Sequence, residues 1–111
     1  MAKDDVLPTG YAAFIRAVAL DIAETLIKKD AEYGGSWLKR GGVGAYMMKV
    51  RKSDRLETQV TKHGYDVFAA LKDSEGKTES LVDTLLDDAG YAILILAEAR
   101  ARGKKDEETK K

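Results

Sequence analysis

The chemistry of this chain is concentrated between Tyr33 and Val60, in the run YGGSWLKRGGVGAYMMKVRKSDRLETQV. Lys49, Arg51, Lys52 and Arg55 fall within seven positions there, and Asp54 and Glu57 stand three apart among them. On a helix, residues three or four apart share a face, so Asp54 and Glu57 point the same way. Further on, Asp83 and Asp87 stand four apart. Two helices that each present such a pair can build an all-oxygen site for a hard dication, Mg²⁺ or Mn²⁺, with phosphate oxygens completing the shell. Asp54, Glu57, Asp83 and Asp87 are therefore the candidate metal ligands, with Glu57 and Asp87 expected at the centre of any catalysis. Lys52 and Arg55, with Lys49 beside them, suit the charge of a polyphosphate, and Arg51 suits either phosphate or an acid. A plainer reading of the same residues is an internal network of ion pairs.

Upstream, two glycine groups (Gly34-Gly35 and Gly41-Gly42-Val43-Gly44) flank Ser36-Trp37-Leu38-Lys39-Arg40. A loop of this kind can lie close to a ligand, with Tyr33 or Trp37 stacking on a base and Lys39 or Arg40 reaching phosphate. It can equally be a tight interhelical turn with Trp37 filling the core. It is not a phosphate-binding P-loop: the GxxxxGK[ST] order is missing and no strand precedes it.

Helices must position these groups. The only proline is Pro8, which leaves the remainder free to be helical. Thr9 is the expected N-cap of a first helix to about Glu32, with Tyr11, Ile15, Val18, Ile22 and Leu26 on one stripe. Asp21 and Glu24 border that stripe, and Lys28 follows Glu24 by four. The second helix is predicted from about Val43 to His63, with Val43, Tyr46, Met47, Val50 and Val60 on its buried side. Continued, that stripe meets Asp54 and Glu57, and acids on a core-facing stripe are costly unless paired or metal-bound. His63 reads as a helix-dipole partner at the C-terminal end. Residues 65–72 read as a short helix. Thr78 is the expected cap of a last helix, about 79–102, with Glu79 and Asp83 near its positive end. The stripe Val82, Leu85, Leu86, Ala89, Ile93 and Leu96 does not contain Tyr91, Leu94 and Ile95, so this helix needs cover from two sides.

The expectation is an all-α helical bundle of three long helices and one short one: a polar, flexible lead (1–8), a single domain (9–102) and a charged, flexible tail (103–111). With 111 residues the core is small, and a homodimer or homotetramer would add burial. Lys plus Arg equals Asp plus Glu at 19 each, so bulk charge gives no pull toward nucleic acid or membrane. The absence of cysteine excludes disulfides, thiolate metal sites and a cysteine nucleophile. MAKDDVLPTG carries no apolar run and hence no signal peptide, and Ala89 to Ala97 is too short to span a bilayer. The reading is a soluble, cytoplasmic protein.

The YG-x-SW, RK-x-DRLE and DTLLD-x-x-x-Y segments, with YDVFAAL between the last two, resemble the phage and bacterial "nucleotide modification associated domain 1" family over about residues 22–99. That family is similar to the all-α nucleoside triphosphate pyrophosphohydrolases of MazG and dUTPase-like type. The resemblance implies a MazG-like bundle, usually dimeric or tetrameric, that binds Mg²⁺ through carboxylates on two helices. It also implies that NTP is split into NMP and pyrophosphate in phage nucleotide metabolism. Its motifs fall on Tyr33, Gly34, Trp37, Arg51, Asp54, Arg55, Glu57, Asp83, Asp87 and Tyr91. No segment reproduces the EExxE helix of the pyrophosphohydrolases; Asp21-x-x-Glu24, Asp54-x-x-Glu57 and Asp83-x-x-x-Asp87 stand instead. A protein that binds or sequesters a nucleotide without turnover is the alternative, and a small helical interaction module the second.

Overall fold

Glycine and short polar residues decide where the helices begin and end. The structure is a computed structural model that describes residues 10–77 and 80–110, with side chains to 107. These residues form four α-helices, three long and one short, with one 3₁₀ turn and no strand. The fold class is the all-α helical bundle that the sequence predicts. The helices are α1 (Tyr11–Tyr33), α2 (Gly41–Thr61), α3 (Val67–Asp73) and α4 (Leu81–Lys110), and the 3₁₀ turn is Ser36–Leu38. The expected caps Thr9 and Thr78, the acid Glu79 and the lead 1–8 lie outside the described residues. No described helix is long and apolar enough to cross a membrane.

The chain divides into two compact units, one ending at Gly34 and one running from Gly35. In the first, α1 closes on Gly34, whose left-handed backbone (φ 59°) lets its N–H return to the Asp30 carbonyl at 2.8 Å. Every turn of α1 is at least partly exposed and none of its residues is buried. On the expected apolar stripe Ile15 is 54% exposed and Val18 52%, while Ile22 and Leu26 are half-buried, so the stripe is present but largely uncovered.

In the second unit, α2 and α4 are the main packing pair. Between them, α2 ends in a Schellman motif: Tyr65 N–H donates to the Val60 carbonyl at 2.8 Å and Gly64 N–H to Thr61 at 3.3 Å. Tyr65 itself is held at φ 67°, unusual for an aromatic residue. Asp66 then caps α3, accepting from Phe68 and Ala69 N–H. The start of α4 is tied twice. Ser80 Oγ accepts from Asp83 N–H, and Ser74 Oγ, at the end of α3, accepts from Leu81 N–H. Leu81, Ala45 and Ala70 are the buried apolar residues, and Thr84 is buried with them.

Four expectations change. α4 runs on through Gly103 to Lys110, where a tail was expected; an isolated glycine costs a helix only about 1 kcal/mol. The stripe of α2 expected to be buried is exposed in its first part, with Val43 80% exposed, Tyr46 60% and Met47 52%, while Val50 and Val60 are half-buried. Asp54 and Glu57, on that stripe, are exposed acids and not core-facing ones. His63 faces a carboxylate as well as a helix end: its Nε2 lies 3.3 Å from Asp73 Oδ2, an ion pair when the imidazole is protonated. Lys77 also reaches Asp73 Oδ2, at 3.4 Å. The hydrogen bond and charge of Lys77, then the hydrogen bond of His63, hold the Asp73 carboxyl below its ordinary value of 3.8.

Close packing at the start of α2 gives a test. A Cβ on Gly44 would stand 2.6 Å from Arg40 Cβ, whereas one on Gly103 would meet nothing within 4 Å. Gly44→Ala is expected to destabilise the chain by about 1–3 kcal/mol through overpacking. Gly103→Ala is expected to stabilise by up to about 1 kcal/mol. Thermal denaturation of both variants measures this, and a stabilised Gly44→Ala protein would contradict the packing described.

Candidate functional site

The side of α2 that carries Ala45, Lys49, Lys52 and Ser53 is turned to α4. Lys49 and Ser53 lie four apart, one turn of helix, and both reach a single carboxylate: Lys49 Nζ donates to Asp88 Oδ1 at 2.8 Å and Ser53 Oγ to the same oxygen at 3.0 Å. Lys52 Nζ stands 3.0 Å from Asp87 Oδ2. The Asp88 side chain keeps only 19% of its exposure and Lys52 21%, so these charges are partly withdrawn from water. Such withdrawal costs free energy unless each charge finds a partner. Here each lysine supplies one.

The candidate residues from the sequence therefore separate. Asp87 is joined to Lys52, a candidate phosphate ligand. Asp54, Glu57 and Asp83 are exposed, as is Arg51. Arg55 is half-buried and engaged. Among the described residues, no group of three or more His, Cys, Asp or Glu side chains has the arrangement to hold a metal ion. The donor set for Mg²⁺ or Mn²⁺ does not fit within the described part of one chain, because the acid turned toward the interhelical seam already faces an ammonium. Tyr33 belongs to the first unit, at the end of α1, and is 63% exposed.

The glycine-flanked segment builds a different feature. Its 3₁₀ turn sets Trp37 and Leu38 against the first turns of α2 and the later half of α4. The result is an open groove of about 240 Å³ lined by Trp37, Leu38, Gly42, Ala45, Tyr46, Ile95 and Ala99, with Glu98 and Arg102 beside them. Trp37 is half-buried and Tyr46 largely exposed. Glu98 and Arg102 pair across one turn of α4, Arg102 Nε donating to Glu98 Oε2 at 2.7 Å. Lys39 and Arg40, exposed, lead directly from this turn into α2. The start of α2 has no side-chain cap and no acid in its first turn, so the N–H groups of Gly41, Gly42 and Val43 begin the helix with their partial positive charge unmasked.

Sequence reasoning reached Trp37, Lys39 and Arg40 and missed Asp88, Ser53, Glu98 and Arg102. The signals were there in part. Lys49 and Ser53 are one turn apart, and Ile95, Glu98, Ala99 and Arg102 follow the three-and-four spacing of a single face. Only the pairing of α2 with α4 tells which of two adjacent aspartates meets which lysine.

The two ion pairs differ in exposure and in hydrogen bonding. Asp88→Asn is expected to cost about 1–3 kcal/mol, as for a hydrogen-bonded charge removed from a part-buried site. Asp87→Asn, a single contact nearer water, is expected to cost under about 1 kcal/mol. Urea denaturation ranks them, and an equal or reversed order would contradict the arrangement.

Comparisons of the chain with family models, with curated proteins and with solved structures gave no match.

Proposed function

We propose that this chain binds a nucleotide, the base lying in the groove between Trp37 and Tyr46 and the phosphates at the start of α2. The observation that carries this reading is the juxtaposition of that apolar, aromatic-walled groove with an uncapped helix N-terminus and two exposed cations, Lys39 and Arg40. Stacking on an aromatic side chain is worth about 1–3 kcal/mol per base. Backbone N–H groups at a helix start, reinforced by Lys or Arg, suit phosphate oxygens. In this reading Lys49 and Lys52 are structural: they hold Asp88 and Asp87 and join α2 to α4. Binding then needs no metal.

A second reading follows the resemblance to the pyrophosphohydrolases. The observation in its favour is that Asp54, Glu57 and Asp83 are exposed, as are apolar residues of the same two helices: Val43 and Met47 on α2, Val82 and Leu96 on α4. A second copy of the chain covering these stripes, as a homodimer or homotetramer, would bring further carboxylates to them. Mg²⁺ would there supply charge neutralisation for a leaving pyrophosphate.

Calorimetry with a panel of nucleoside mono- and triphosphates, run in EDTA and in Mg²⁺, tests both. The first reading predicts binding in EDTA that weakens about tenfold or more on Trp37→Ala and also on Lys39→Ala combined with Arg40→Ala. Absence of binding under both conditions would contradict it. Pyrophosphate release that appears only with Mg²⁺, and only in fractions heavier than one chain by sedimentation, would establish the second.

A further inference from the structure

The groove beside Trp37 offers a flat ring surface to lie on and almost nothing for its edge to bond. Its lining is almost wholly apolar, although Glu98 and Arg102 are among the residues around it. Those two side chains therefore contribute their carbon stems. Their charged ends are engaged with each other, Arg102 Nε donating to Glu98 Oε2 at 2.7 Å. Trp37, Leu38, Tyr46 and Ile95 bring aromatic and aliphatic surface to the groove. It is also open to solvent, and Tyr46 at its wall is 60% exposed.

We infer that the groove takes nucleobases by their faces and is blind to their pairing edges, so that its ligand class is nucleotides of any base, purines ahead of pyrimidines. This rests on the nucleotide reading above. Selecting one base requires donors and acceptors placed against its edge, and the lining supplies almost none. Stacking requires only a π-face, which every base has. The openness of the groove settles the cost. In a closed apolar cavity each base would lose the hydration of its polar edge, a penalty that differs from base to base. In an open groove the edge stays in water, whichever base carries it. Ring area covered is then what ranks the ligands, because the gain scales with the apolar surface removed from water. Two fused rings cover more of Trp37 and Tyr46 than one. The volume of about 240 Å³ is below the roughly 300–1,000 Å³ of sites that enclose larger ligands, so the groove suits one base and leaves sugar and phosphates outside.

Trp37 is the only tryptophan of the chain, so its fluorescence reports this groove directly, and the midpoint of a titration gives the affinity. The full chain is titrated with GMP, IMP, AMP, CMP and UMP, and with the monophosphate of benzimidazole riboside, a purine-shaped ring that has only C–H groups along its pairing edge. The three purine nucleotides are expected to agree within about threefold, and the two pyrimidine nucleotides to bind about threefold or more weakly than they do. The benzimidazole nucleotide is expected to bind at least as tightly as AMP. Tyr46→Ala, a change at an exposed side chain, is expected to weaken all six ligands in parallel by about threefold or more, with circular dichroism confirming the helical content of the variant. A spread among the purines beyond threefold, loss of the benzimidazole nucleotide, pyrimidines equal to purines, or a Tyr46→Ala effect confined to one base would each overturn the edge-blind assignment and leave the nucleotide reading standing. Failure of every ligand to alter Trp37 fluorescence would overturn both.

Discussion

The arrangement of α2 against α4 depends on a layer of charge inside a seam that is otherwise small and apolar. Lys49 and Ser53 converge on one oxygen of Asp88, and Lys52 meets Asp87 one position away. A lysine alone in that seam would be expensive, as would an aspartate alone; together they are tolerated, and their geometry admits one register of the two helices. Around it, Ala45 of α2 and Leu81, Thr84 and Gly90 of α4 are buried. The polar layer joins the two helices, and Ala45 and Gly90 permit their approach.

That division of labour leaves much apolar surface uncovered in a single chain. No residue of α1 is fully buried, and the faces of α2 and α4 turned away from each other expose Val43, Met47, Val82 and Leu96. Surfaces of this kind normally mark an interface. The groove beside Trp37 is distinct from them in being walled by two aromatic residues, Trp37 and Tyr46. Its aromatic walls come from the 3₁₀ turn and α2, and its edge from α4, so the same register that seats Lys49 on Asp88 also brings Ile95 and Glu98 opposite Ala45.

The helices were legible in the sequence because periodicity and punctuation agree. Gly34 and Gly64 fall where the helices were expected to end, and α1, α2 and α3 begin and end within about two residues of expectation, although Asp66, expected inside the short helix, caps it. The extent of α4 was not legible, since a charged run after Gly103 reads as solvated whether it is coiled or helical. The buried side of α2 was misread for a physical reason. Val43, Met47 and Val50 form the more apolar stripe, yet the face that packs on α4 is the one bearing Ala45, Lys49 and Ser53. A stripe pattern reports which face prefers cover, not which partner supplies it. Asp88, the acid that meets two partners in the seam, was not singled out, because pairing across 35 and 39 positions of sequence is a property of the packed chain.

Coupling between the two helices through the charged layer is the central claim, and amide hydrogen exchange measures it most directly. With Lys49→Met, the Asp88 carboxylate loses its ammonium partner. Protection is predicted to fall together in residues 45–56 of α2 and 81–95 of α4, while α1 exchanges as in the unaltered chain. Unchanged protection in α2 and α4, or a loss confined to one of them, would contradict the account.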